Sequence, residues 1–217
     1  MANVQLDKSK GQNSGWIVIT AGWGFAVAIG VYIAGWASGG HLNPAVTLGL
    51  LAVGKVPIAQ VPLYLAGQFL GAFIGAIGVW AAYFPHWAQT KDPDAKLAPF
   101  STTPAIRHAV ANLVCEVIGT AVLLIGVLGI SNANNGIGSG IGPYLVGMLV
   151  FSIGLSLGGP TGYAINPARD LAPRIAHALL PIPGKGSSDW GYAWIPVCGP
   201  IIGGITGALL YTSLFPA

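Results

Sequence analysis

The sequence predicts an all-α membrane protein built as an inverted repeat, with five full spans and two half-helices that meet at mid-membrane. Three observations predict it. Charged residues make up only 7% of the 217 and hydrophobic ones 53%, against about 25% charged in soluble domains. Such a chain cannot cover a water-facing surface, so lipid is its solvent. Five apolar stretches reach or approach the ~20 residues that a spanning helix needs: 16–37, 61–83, 108–130, 141–157 and 192–214. Two shorter apolar pieces, 44–54 and 167–180, each open on Asn-Pro-Ala, and at about 1.5 Å per residue neither can cross.

Taken in order, residues 1–15 are polar, carry no signal-peptide core and read as a loop ahead of the first span. Residues 84–107, rich in Pro and charge, read as an exposed loop, 131–140 (SNANNGIGSG) as a turn, and 181–191 (PIPGKGSSDWG) as another loop. A repeat runs through these elements. Gly67, Gly71 and Gly75 form a GxxxGxxxG stripe, and Gly199, Gly203 and Gly207 form the same stripe 132 residues later. The two triplets are 123 residues apart. The difference fits an insertion at loop 181–191. Each stripe predicts close helix packing. The chain reads as a single domain, 1–217, with repeat one at 1–83, a loop at 84–107 and repeat two at 108–217.

Asn-Pro-Ala has a physical reading. Pro suits the first position of a helix, where its missing N–H is not needed, and Asn before it is a strong N-cap. Asn43 and Asn166 therefore cap half-helices that begin at Pro44 and Pro167, with Ala45 and Ala168 in the first turn. The cap uses the side-chain oxygen and leaves the NH2 group as a fixed, unused donor. Each half-helix directs its positive dipole end at the triplet. The residues before each triplet are not all helical, so carbonyls of Gly39, Gly40, His41, Gly162 and Ala164 are expected to face a watery cavity. Positive helix ends disfavour cations there, and the Asn donors orient a neutral solute.

HLNPAVT and INPARD, with SGG ahead of the first and GQFLGA and CGPIIGG in the following spans, resemble the major intrinsic proteins, the aquaporins and glycerol facilitators. The resemblance runs from about Gly15 to the C-terminus. It implies an aquaporin-like fold and a narrow pore that passes water or small neutral solutes by diffusion, in a homotetramer with one pore per subunit, in the cytoplasmic membrane. In this family four residues set the narrowest point, and by spacing from the triplets they map to Trp23, Gly154, Tyr163 and Arg169. Gly154 stands where water-only members hold a His, which widens the opening. Trp23 and Tyr163 would make aromatic walls for the CH backbone of a polyol, and Arg169 would donate to its hydroxyls. With Asp170 after the arginine, the pattern is closest to the glycerol-facilitator branch. Tyr163 stands where Phe is expected, so the solute is open among glycerol, water, urea, hydrogen peroxide and protonated lactic acid.

The resemblance also assigns supporting residues. Glu116, the only acidic residue inside an expected span, would brace the half-helix loop by accepting backbone N–H groups. Asp170 would shape the loop by pairing with Arg169 or Arg174 or by favouring the helix start, and Gln68 reads as a structural polar group. For His41 the carbonyl is favoured over the ring as a pore group. His86, His108 and His177 read as loop or interface residues. Cys115 and Cys198 read as buried packing residues with no disulfide.

Two features depart from the family. It has six spans and five are visible here, so its first helix, with the glutamate that would pair with Glu116, is expected to be absent. The family orientation places Lys8, Lys10, Lys91, Lys96 and Lys185 outside and Lys55 inside, against the positive-inside rule. The composition excludes other classes. No basic run offers a nucleic-acid footprint. No nucleophile–base pair or metal cluster points to an enzyme, and no cofactor is expected. The alternatives to a passive channel are a non-conducting subunit that lacks one helix and a secondary transporter, whose coupling group would be Glu116 or the Arg169/Asp170 pair.

Overall fold

The computed structural model describes residues 1–138 and 140–215; Ser139 of the turn, and Pro216 and Ala217 at the end of repeat two, lie outside the described residues. Among the described residues ten α-helices form: α1 (Ala2–Gln5), α2 (Trp16–Ser38), α3 (Pro44–Ala52), α4 (Val61–Ala82), α5 (Phe84–Gln89), α6 (Pro93–Leu97), α7 (Ala109–Ile130), α8 (Gly142–Leu157), α9 (Pro167–Leu179) and α10 (Ile195–Leu214). Among the described residues, α2, α4, α7 and α10 are long and apolar enough to cross a membrane. The fifth expected span, α8, is the short one at 16 residues. The last span begins at Ile195 rather than 192, because Pro196 takes the first helical turn and the preceding residues are tied in turns.

The helices pair as an inverted repeat. α2 packs along α8, and Gly24 and Gly147 face each other's carbonyls there. α10 packs on α3, and α4 on α9, so each repeat's last helix backs the other repeat's half-helix. α10 also runs along α7. Its glycine stripe explains that contact, since a methyl at Gly203 would fall 2.2 Å from the Val117 carbonyl oxygen and one at Gly207 2.4 Å from that of Ala121. Only glycine lets the two backbones come so close.

The matching stripe on α4 does not pack. A methyl at Gly67, Gly71 or Gly75 would meet nothing within 4 Å, which corrects the expectation of tight packing there. The flank that α7 covers on α10 is open on α4, because no described helix stands in α7's place in repeat one.

Residues 84–107 are not the exposed loop that their charge suggested. Trp87, Leu97 and Phe100 are almost fully buried, and with Leu6, Ala2 and Ile182 they form a second apolar cluster at one end of the bundle. Lys96 is buried too, its ammonium donating to Pro183 O and Gly184 O. The long aromatic side chains of this segment satisfy themselves against each other, so the segment folds down as a cap. Residues 131–138 and Gly140 lie at the opposite end, where Asn132 Nδ2 donates to the Tyr211 hydroxyl and the Tyr32 hydroxyl donates to Gly140 O. Both cysteines are free, but Cys198 is exposed on the outside of α10 rather than buried.

The contrast between the two stripes is testable. Gly203→Ala should lose about 1–3 kcal/mol to overpacking, lowering the unfolding midpoint of the detergent-solubilised protein by several degrees, whereas Gly71→Ala, with room for its methyl and a better helix former in place, should leave it unchanged or slightly raised. Equal losses would mean that the α4 stripe is packed as tightly as its counterpart.

Candidate functional site: the seam between two half-helices

The site is built from two backbone loops in the same unusual conformation. Gly39, Gly40 and Leu42 take positive φ before the first triplet, and Gly162, Tyr163 and Ile165 take it before the second. These are equivalent positions, 123 residues apart. Left-handed backbone costs a non-glycine residue roughly 1–2 kcal/mol, so the second loop needs support. Glu116, 1% exposed, provides it: its two oxygens accept from Ala164 N at 2.9 Å and Ile165 N at 2.8 Å. Among the described residues nothing accepts from the equivalent His41 and Leu42 N–H groups. The carbonyls of Gly39, Gly40, His41, Gly162 and Ala164 receive no hydrogen bond among the described residues. Those of Gly39, Gly40, His41 and Ala164 belong to residues lining a cavity of ≈ 1410 Å³. Gly162 instead packs toward Thr102.

The two asparagines hold the half-helices end to end. Asn43 Oδ1 accepts from Ala45 N at 2.8 Å, and Asn166 Oδ1 accepts from Ala168 N and Arg169 N at 3.0 and 3.1 Å. Asn43 Nδ2 donates to Ile165 O at 2.7 Å, and Asn166 Nδ2 donates to Leu42 O at 2.9 Å. The side-chain amides are therefore not wholly unused, as the capping argument alone suggested. Each amide has two N–H groups; one ties it to the carbonyl preceding the other asparagine, and the second stays available.

Near one end of the seam the structure brings Trp23, Tyr163 and Arg169 together on the cavity wall. The Arg169 guanidinium lies 4.2 Å from the centre of the Trp23 ring, a cation–π contact. It makes no side-chain hydrogen bond among the described residues, so its five N–H donors are unused by the protein. Pro173, one turn on in α9, has no N–H to give the Arg169 carbonyl. Trp23 Nε1 and the Tyr163 hydroxyl are buried without partners.

Gly154 does not act as the sequence suggested. A methyl there would meet Tyr163 Cζ at 2.7 Å and Thr20 Cγ2 at 2.8 Å. The space opened by glycine is taken by the Tyr163 ring, so Gly154 sets where that ring lies and is itself covered. Nor does the tyrosine hydroxyl add polarity to an open lumen, since it is enclosed in the wall. Trp16, which the sequence did not single out, completes this corner. Its Nε1 donates to Gly154 O at 2.8 Å, and its ring stands edge-on to Tyr163 at 5.8 Å.

At the other triplet, Gln68 Nε2 donates to Thr47 Oγ1 at 3.0 Å, while Gln68 Oε1 is buried without a partner. His41 uses its ring after all, stacking on Tyr64 with Nδ1 3.1 Å from Thr47 Oγ1. Asp170 pairs with Arg174, not Arg169. His177 is fully buried, with Nδ1 2.8 Å from Ser188 Oγ, rather than a loop residue. His108 caps α7, and His86 Nδ1 meets Asp7 O. In the outer segments, Asp189 holds the exposed Arg107 guanidinium above its usual range, first through their hydrogen bond and then through charge. No group of three or more metal-ligating side chains occurs among the described residues.

Helices that cross a membrane around two capped half-helices define an integral membrane protein with a polar thread through an apolar body. The chain belongs to the major intrinsic protein family, whose model matches residues 1–211. It is similar to the probable glycerol uptake facilitator protein of Thermotoga maritima, 64% identical over 215 residues that cover 99% of this chain and 91% of that one. It is 56% identical over 214 residues to the glycerol uptake facilitator protein of Bacillus subtilis, covering 99% of this chain and 77% of the relative. The X-ray structure of the aquaglyceroporin from Plasmodium falciparum superposes with a TM-score of 0.88 at 29% identity, covering 99% of this chain and 88% of that one. The fold is aquaporin-like.

Glu116→Gln tests the bracing of the second loop. One of the two buried N–H groups would lose its acceptor, at about 1–3 kcal/mol, so the unfolding midpoint in detergent should fall. An unchanged midpoint would show that the carboxylate does not support the loop.

Proposed function

We propose that this chain is a single-domain passive channel for glycerol and similar small neutral polyols, with water as a second permeant, excluding ions and protons. The observation that carries it is the corner at Trp23, Tyr163 and Arg169. Apolar ring faces stand beside a guanidinium with unused donors, which suits a molecule with a CH side and a hydroxyl side. Beyond it, the Asn43 and Asn166 amides each keep one N–H. Two positive helix ends and Arg169 oppose cations. The names of the bacterial relatives favour glycerol among the small solutes. We place the protein in the cytoplasmic membrane as a homotetramer, in keeping with the family resemblance and the apolar side chains exposed along α2 and α4, such as Trp36 and Leu63.

Two observations favour a second reading. The uncovered stripe on α4 and the unaccepted His41 and Leu42 N–H groups describe a wall that closes only when another helix lies on α4. In that reading the chain alone folds but does not conduct.

Stopped-flow light scattering on proteoliposomes separates the two. The channel reading expects glycerol and water permeabilities well above those of protein-free vesicles, without saturation. Folded protein with no added flux would overturn it for the chain alone, and saturating, proton-dependent flux would point to a transporter. In the same vesicles Gly154→Ala should press Tyr163 toward the lumen and reduce glycerol flux more than water flux; equal losses would argue against the corner as the size filter. Arg169→Val should admit a proton leak, read with an entrapped pH dye, and unchanged exclusion would place the barrier elsewhere.

A further inference from the structure

α9 carries two arginines with opposite fates. Arg169 makes no side-chain hydrogen bond among the described residues, whereas Arg174 uses every donor it has. Its Nε and Nη2 donate to Asp170 Oδ1 at 2.9 and 2.7 Å. Nη2 also donates to Thr102 O at 2.9 Å, and Nη1 donates to Ser188 O and Asp189 O at 2.7 and 3.0 Å. Five N–H groups meet five acceptor contacts. The two arginines sit about 140° apart around the helix, at 3.6 residues per turn, so one faces the cavity and the other the outer cap.

A buried ion pair is weak evidence for stability, because desolvation offsets its attraction. This one is fully buried on both sides, so what it holds in place is the better guide to its role. Asp170, the residue next to Arg169, passes the bond on: its Oδ2 accepts from Thr102 N at 2.7 Å and Thr102 Oγ1 at 2.6 Å. Thr102 lies against Gly162, the residue before Tyr163, with its Cγ2 3.3 Å from where a Gly162 methyl would be. Ala105 N donates to Pro160 O at 2.9 Å and fixes the same segment to the start of that loop. The hub thus touches the neighbours of both Arg169 and Tyr163.

We propose that Arg174 is a positioning residue for solute selection: through Asp170 and Thr102 it fixes the spacing of Arg169 and Tyr163. Lysine is a poor replacement, because an ammonium offers three donors from one point where the guanidinium fork directs five at oxygens on three separate segments. The proposal rests on the channel reading above, and the test keeps the two apart. Wild-type protein, Arg174→Lys, Thr102→Val and Arg107→Gln are each reconstituted, and the ratio of glycerol to water permeability is measured by stopped flow. The ratio does not depend on how many channels fold. Wild-type protein that passes no glycerol would remove the channel reading itself. With a conducting wild type, Arg174→Lys should shift the ratio several-fold, and Thr102→Val, which removes one hydroxyl and little else, should shift it less in the same direction. Arg107→Gln, which breaks the exposed tie to Asp189 between the same outer segments, should leave it unchanged. If Arg174→Lys fails to fold, Thr102→Val decides alone. Permeabilities that fall together at an unchanged ratio in the variants that fold would overturn the proposal and make the hub purely structural.

Discussion

The structure depends on solving one problem: how to end two helices in the middle of a membrane. With Pro at the first position, three backbone N–H groups at each half-helix start have no partner within the helix, and lipid supplies none. Asn43 and Asn166 answer this in both directions at once. Each side-chain oxygen caps its own helix, and each amide donates to the carbonyl before the other asparagine. The two loops are thereby locked to each other, and the polar seam between them is held at a fixed width. A change at either asparagine loosens both halves, because the bonds are reciprocal.

The second organising contrast is electrostatic. Two positive helix ends and two arginines share a small volume, with Asp170 and Glu116 as the nearby carboxylates. Asp170 is taken up by Arg174 and Thr102, and Glu116 by backbone N–H groups. The charge left without a protein partner is therefore that of Arg169, backed by the face of Trp23. Two of the loop lysines have structural partners. Lys96 donates to two loop carbonyls, and Lys185 to His177 O, Ala178 O and Leu180 O at the end of α9. These cations satisfy helix and loop carbonyls, as basic groups near a helix C-terminus do.

What the sequence made legible was whatever depends on local backbone chemistry. Asn-Pro dictates a capped helix start, apolar length dictates a span, and a repeated stripe and triplet reveal the two units. Facts set by a third element were not legible. Gly154 looked like an opening because its chain neighbours say nothing of the Tyr163 ring that crosses it. The Gly67, Gly71 and Gly75 stripe looked like a packing face, but packing needs a partner and none is described there. Residues 84–107 looked exposed by their charge, yet Trp87 and Phe100 bury against Leu6 from the other end of the sequence. The role of Arg174 turned on its choice of partner, which spacing left open among several pairings.

In the proposed channel a neutral polyol threads this seam with its hydroxyls toward Arg169 and the asparagine amides and its carbons toward Trp23 and Tyr163. An experimental structure of the protein in lipid, with glycerol present and at a resolution that shows individual small molecules, tests it most directly. The expected result is density in the cavity with a glycerol oxygen at hydrogen-bond distance from the Arg169 guanidinium and the carbon chain against the two rings. Glycerol absent from that corner, or an Arg169 side chain folded away onto protein carbonyls, would contradict it.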